Sequence, residues 1–125
     1  VRFAAWSSII VGAMMLLQWA FFLGTGSVPE VDSEPVALVF HLVAEGATSL
    51  VLLYAGLALL RSGRSGIAVG LVGNGMLLYT VIVSPGYFAQ IGQWPLVGMF
   101  LLLALVAFVA IVKLARALRD PSAAS

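Results

Sequence analysis

Val36-Ala37-Leu38-Val39-Phe40-His41-Leu42-Val43-Ala44-Glu45-Gly46-Ala47-Thr48-Ser49-Leu50-Val51-Leu52-Leu53-Tyr54-Ala55-Gly56-Leu57-Ala58-Leu59-Leu60 is the stretch that decides the fold. A bilayer-spanning helix needs about 20 mainly apolar residues, and this run exceeds that with one acid and one histidine inside it. Residues 3–23, 66–83 and 95–118 have the same character. The whole chain of 125 residues is 62% hydrophobic and 9% charged, with a mean hydropathy of +1.14. An ordinary soluble domain carries about a quarter charged residues, so that class is excluded. The expected fold is all-α: an antiparallel four-helix transmembrane bundle forming a single domain over residues 1–125.

Local punctuation agrees with four spans. Gly24-Thr25-Gly26 stops the first, and Pro35 occupies a first-turn position after Ser33 and Glu34, which can cap. Ser62-Gly63-Arg64-Ser65-Gly66 is a short turn, Ser84-Pro85-Gly86 ends the third span, and Pro95 opens the fourth. The first apolar run is longer than the 7–15 residues of a typical signal-peptide core, so it reads as a retained helix. Short connections make sequence neighbours antiparallel. The halves differ in loop chemistry and polar content, which disfavours an inverted-repeat transporter within one chain.

All six basic residues, Arg2, Arg61, Arg64, Lys113, Arg116 and Arg119, fall on one side of this arrangement. The positive-inside rule makes that side cytoplasmic and both termini cytoplasmic. Glu30, Asp32 and Glu34 lie in the first outer loop. The second, from Pro85 to Trp94, is uncharged, and its Tyr87, Phe88 and Trp94 fit an interfacial aromatic belt. The expected partner is the lipid bilayer. A net charge of +1, without basic residues interleaved with aromatics, gives no reason to expect nucleic acid. With no cysteine there is no disulfide, thiol catalysis or thiolate metal site.

Against this apolar background the polar residues stand out. A carboxylate at membrane depth is disfavoured by about 2.5–3.5 kcal/mol on insertion scales, so Glu45 marks a functional site by default. Counted inward from the outer helix ends at about 1.5 Å per residue, Glu45 and Asn74 both lie roughly 15 Å down, and Gln18 and His41 roughly 9 Å. Two polar layers are thus expected, Gln18 with His41 and Asn74 with Glu45. His41, Glu45, Thr48 and Leu52 form one stripe of the second span, and Gly66, Gly70 and Asn74 one stripe of the third. Small residues at that spacing let helices approach closely, which points Asn74 into a packing seam. Tyr79 and Thr80 lie off that stripe and are weaker candidates.

Desolvation favours the neutral forms of His41 and Glu45 while their mutual attraction favours the charged ones, so the pair is expected to titrate as a unit. Three roles fit: interhelical hydrogen-bonded glue, a binding or catalytic pocket, or a proton or cation path. The acidic run Glu30-Val31-Asp32-Ser33-Glu34 would concentrate cations above the pair, or is simply a solvated loop. No metal site is expected. His41 and Glu45 supply two ligands where catalytic zinc takes three from protein, and a lone histidine leaves haem one axial ligand.

Two resemblances follow from these residues. From Glu45 to Met76, Glu45-Gly46, the leucine-rich run, Gly56-Leu57-Ala58-Leu59-Leu60-Arg61 and Gly75-Met76 resemble the DoxX-like family of small four-helix membrane proteins. That resemblance implies quinone-linked sulfur oxidation or membership of a redox-partner complex. His41-Leu42-Val43-Ala44-Glu45-Gly46 resembles the histidine-to-glutamate-glycine motif of the emopamil-binding sterol isomerases, which use further intramembrane acids. The leading expectation is a non-catalytic membrane subunit or binding protein. It would hold a lipophilic ligand, quinone-like by resemblance, in an outer-half pocket of Gln18, His41, Glu45, Thr48 and Asn74. The alternatives are a small oligomeric transporter or proton conductor using Glu45 and His41, and a membrane enzyme with His41 and Glu45 as acid–base pair. A larger membrane complex or a homo-oligomer is the expected assembly.

Overall fold

The computed structural model describes residues 1–26, 34–62, 64–90 and 92–119. Glu30, Asp32 and the capping Ser33 lie outside them, as do the side chains of Tyr87 and Phe88. Among the described residues five helices occur: α1 Arg2–Gly24, α2 Pro35–Ser62, α3 Arg64–Val83, α4 Pro85–Gln90 and α5 Trp94–Arg119. All but α4 are long and apolar enough to cross a membrane. The protein is therefore an integral membrane protein with four candidate spans, and no strand occurs among the described residues. In lipid only helices and closed barrels satisfy every backbone group.

The helix ends follow from side-chain chemistry. At the end of α1 the Thr25 amide donates to the Phe21 carbonyl at 3.0 Å and its hydroxyl to the same carbonyl at 2.8 Å. Gly26 then takes φ +68°, a conformation that suits glycine. Pro35 begins α2 and Pro85 begins α4, where a missing N–H leaves no bond unmade. The segment expected to be a plain loop from Pro85 thus holds one short helix, packed against α3 and α5.

The spans form an antiparallel bundle in which α1 packs on α2, α2 on α3 and α3 on α5, with α1 also touching α3 and α5. The start of α1, the end of α5 and all six basic residues lie at one end, the terminal face. The opposite end is the far face.

Close backbone approach sets the register. A methyl added at Gly66 would lie 2.6 Å from the Leu59 amide nitrogen, and one at Gly73 would lie 3.3 Å from the Leu52 side chain. The seven-residue step on α3 is matched by seven residues backward on α2. One more step carries Thr80 opposite Glu45. Between α1 and α2, a methyl at Gly12 would lie 2.9 Å from the Ser49 carbonyl oxygen, and one at Gly56 2.7 Å from that of Ala5.

The core is tight at the terminal face and opens toward the far face. Ala4, Ala5, Leu59, Ile67, Ala110, Leu114 and Ala117 form a buried apolar cluster at the terminal end. Val11, Met15, Leu52, Leu77, Val81 and Ala107 form a second above it. Beyond Met15 no residue of α1 is buried, and the buried residues of α5 all lie from Ala107 onward. Ala4, Ser8, Val11 and Met15 are one inward stripe of α1, and Gln18 continues it at helical spacing. Yet Gln18 is exposed. The inward stripe of α1 is thus exposed at this level, and we call this part of the far face the mouth.

These seams make two glycines unequal. Gly56→Ala is expected to destabilise the bundle by about 1–3 kcal/mol through overpacking. Gly75, with nothing within 4 Å of an added methyl, should accept alanine with no loss, or gain up to about 1 kcal/mol from helix propensity. Unfolding by sodium dodecyl sulfate in mixed micelles measures both, and equal effects would show that the α1–α2 seam is not tight.

Candidate functional site

Depth in the bundle depends on where the helices are flush. At about 1.5 Å per residue, the 28 residues of α2 are roughly 42 Å long and the 20 of α3 roughly 30 Å. The Gly66–Leu59 contact makes them flush at the terminal face, so α2 overshoots α3 at the far face by about two turns. Counting both helices from outer ends assumed equal projection, and the register corrects it. Asn74 lies beside Gly73, level with Val51 and Leu52, while Glu45 is level with Thr80, one turn inside the far end of α3. The expected layer of Asn74 with Glu45 therefore does not form.

Asn74 instead belongs to a mid-bundle cluster. It is 1% exposed, and its Nδ2 donates to Ser8 Oγ at 3.1 Å and to the Gly70 carbonyl at 2.9 Å. Ser8, equally buried, was not among the sequence candidates. Its signal was available: Ala4, Ser8 and Gly12 are a small-residue stripe like Gly66, Gly70 and Asn74. Two such stripes let α1 and α3 close to hydrogen-bonding distance.

At the mouth the structure brings together His41, Glu45 and Trp19. Glu45 keeps 9% of its side-chain surface exposed and His41 47%, with Nε2 and Oε1 3.6 Å apart. That separation suits a weak ion pair and is too long for a hydrogen bond. The Glu45 carboxyl makes no hydrogen bond to another described residue. Trp19 sets its ring edge-on to His41 at 5.4 Å and to Phe22 at 6.3 Å. His41 stands on the α2 overhang, which explains its exposure.

The remaining candidates divide. Thr48 is buried and its hydroxyl donates to the Ala44 carbonyl of its own helix at 2.8 Å. Buried Ser49, also absent from the sequence candidates, does the same to the Glu45 carbonyl at 2.8 Å. Gln18 lies on the inward stripe of α1 at the mouth. Thr80, treated as peripheral from its stripe, is half-buried opposite Glu45, whereas Tyr79 is 72% exposed. No group of three or more His, Asp or Glu suited to a metal ion occurs among the described residues.

The mouth thus offers an amide, a carboxyl, an imidazole and a hydroxyl at the edge of an apolar core. All can donate or accept hydrogen bonds with a suitable protonation state. Below them the polar groups are neutral and internally bonded. Beneath those lies the terminal apolar cluster.

A family model described as "Domain of unknown function (DUF8058)" matches residues 1–123. No curated protein and no solved structure gives a significant match.

The separation of the two polar groups can be measured by double-mutant cycles. Ser8→Ala combined with Asn74→Leu should show a coupling of about 0.5–2 kcal/mol. Asn74→Leu combined with Glu45→Gln should be additive within about 0.5 kcal/mol. Strong coupling in the second pair would restore a single polar layer.

Proposed function

The chain belongs to the DUF8058 family, and for this member we propose a non-catalytic membrane binding protein. It holds a lipophilic molecule by its polar head at the far-face mouth. The observation that carries this reading is Gln18, an inward-stripe residue left exposed, near the level of a Glu45 carboxyl that makes no hydrogen bond to another described residue. An apolar cavity with a few convergent polar groups is the usual form of a small-molecule site between bundle helices. A carboxyl held at the edge of an apolar core is costly, and a ligand that hydrogen-bonds to it is favoured accordingly.

The chemistry of the mouth narrows the ligand. Every Lys and Arg lies at the terminal face, so no permanently charged cation stands near Glu45 to neutralise a phosphate or carboxylate head. A carbonyl or hydroxyl head suits Gln18, His41 and Glu45, and a quinone-like molecule, the class implied by the DoxX-like resemblance, has such oxygens. Its tail would lie against Met15, Val81 and Leu78 of the second apolar cluster. In this reading the terminal face is cytoplasmic by the positive-inside rule, and the mouth opens to the other side. Service as a subunit of a larger complex is compatible with a site that holds a molecule without transforming it. Conduction by Glu45 and His41 is less well supported, because the packed terminal cluster stands between the mouth and the basic face.

Mass spectrometry of solvent extracts from protein purified gently from its own membrane tests the proposal. The parent should release a stoichiometric lipophilic molecule. Gln18→Leu and Glu45→Leu should each lower its occupancy by about tenfold, the loss of one good hydrogen bond at about 1.4 kcal/mol. Asn74→Leu, which touches only the mid-bundle cluster, should leave occupancy intact in the folded fraction. A parent that carries nothing, or variants that retain the molecule fully, would falsify the reading.

A further inference from the structure

The terminal face carries positive charge that no described acid neutralises. Arg2, Arg61, Arg64, Lys113, Arg116 and Arg119 all end there. None forms an ion pair with another described residue, and the described acids Glu34 and Glu45 lie at the other end of the bundle. Six cations against one neighbouring acid in the sequence, Asp120, which lies outside the described residues, leave an excess of positive charge, so an outside anion is favoured.

One corner of that face is better built than the rest. Lys113 stretches across from α5 to α1, its Nζ 5.4 Å from the centre of the Phe3 ring. This cation–π contact fixes the ammonium at the α1–α5 junction, where the first turn of α1 also carries Arg2. Arg116 follows Lys113 at i+3, on the same side of α5. Traced back from Lys113, that side continues through Val109, Val106 and Leu102, which are half-buried or exposed. An apolar strip about three turns long therefore ends in two cations at the depth where a span meets the headgroups.

We propose that the α1–α5 junction binds an anionic phospholipid. Lys113 and Arg116, with Arg2, hold its phosphate, and an acyl chain lies along Leu102, Val106 and Val109. The match is one of shape as well as charge. A soluble phosphate would use the cations and leave the strip unoccupied, while a lipid uses both. Basic pockets between helices at a membrane face are established sites for such headgroups. This site is at the opposite end of the molecule from the mouth, uses none of its residues, and stands whether or not a ligand is held there.

The test uses the full chain in bilayer discs of phosphatidylcholine mixed in equal parts with phosphatidylglycerol, followed by native mass spectrometry of the lipid that stays bound. The parent should retain phosphatidylglycerol in preference to phosphatidylcholine. Each basic side chain near an anionic surface is worth about a fivefold change, so Lys113→Gln with Arg116→Gln should reduce that preference roughly twenty- to thirtyfold. Arg61→Gln with Arg64→Gln removes the same charge from the α2–α3 corner and should change it less than threefold. The proposal is overturned if the first pair retains phosphatidylglycerol like the parent. It is equally overturned if both pairs lose it alike, since that outcome means diffuse surface charge and no site. Circular dichroism of each variant confirms that the helices are kept.

Discussion

The close approach of α2 and α3 is the constraint on which the rest of the arrangement depends. At Gly66 an added methyl would run into the α2 backbone, and at Gly73 it would crowd the Val51 and Leu52 side chains, so the axial positions of the two helices are fixed to within a residue or so. That register decides which polar groups share a level. It sets Thr80 level with Glu45, takes Asn74 away from that level, and leaves the first two turns of α2 without α3 alongside. Hydrophobicity alone cannot do this, because lipid tails are as apolar as the helix faces. Small residues and interhelical hydrogen bonds supply the specificity.

The number of spans, their approximate limits and the all-α class were legible in the sequence, since each rests on the length of an apolar run and on prolines and glycines at its ends. Depth was less legible. Counting residues from a loop gives distance along one helix and says nothing about how far that helix projects beyond its neighbour. The Asn74–Glu45 layer failed for that reason, and Thr80 looked peripheral for the same reason. Ser8 shows a different gap. A serine in an apolar helix is a weak signal alone, and it gains meaning only when its stripe is set against the stripe that carries Asn74.

The polar groups have been sorted by what the bilayer demands of them. Mid-bundle, where no water is at hand, an amide and a hydroxyl bond to each other and to a backbone carbonyl, which leaves no charge to stabilise. The ionisable pair sits higher, beside the rim, where the penalty for a carboxyl is smaller than at the midplane. This ordering separates the internally bonded Asn74 from the binding role proposed for Glu45, and it explains how a chain with so few polar residues can hold an acid inside its span without a salt bridge of good geometry.

The unequal lengths of α2 and α3 bear on the surrounding membrane. A helix longer than the hydrocarbon layer must tilt, thicken the bilayer around it or project from it. Because α3 is flush with α2 at one end only, tilt of the pair is shared and the mismatch collects at the far rim. In a thin bilayer His41 would stand among water and headgroups; in a thick one it would be drawn under acyl chains. Bilayer thickness is thus a physical variable to which the hydration of the His41–Glu45 pair is coupled, so the same protein placed in membranes of different lipid length would present a different rim.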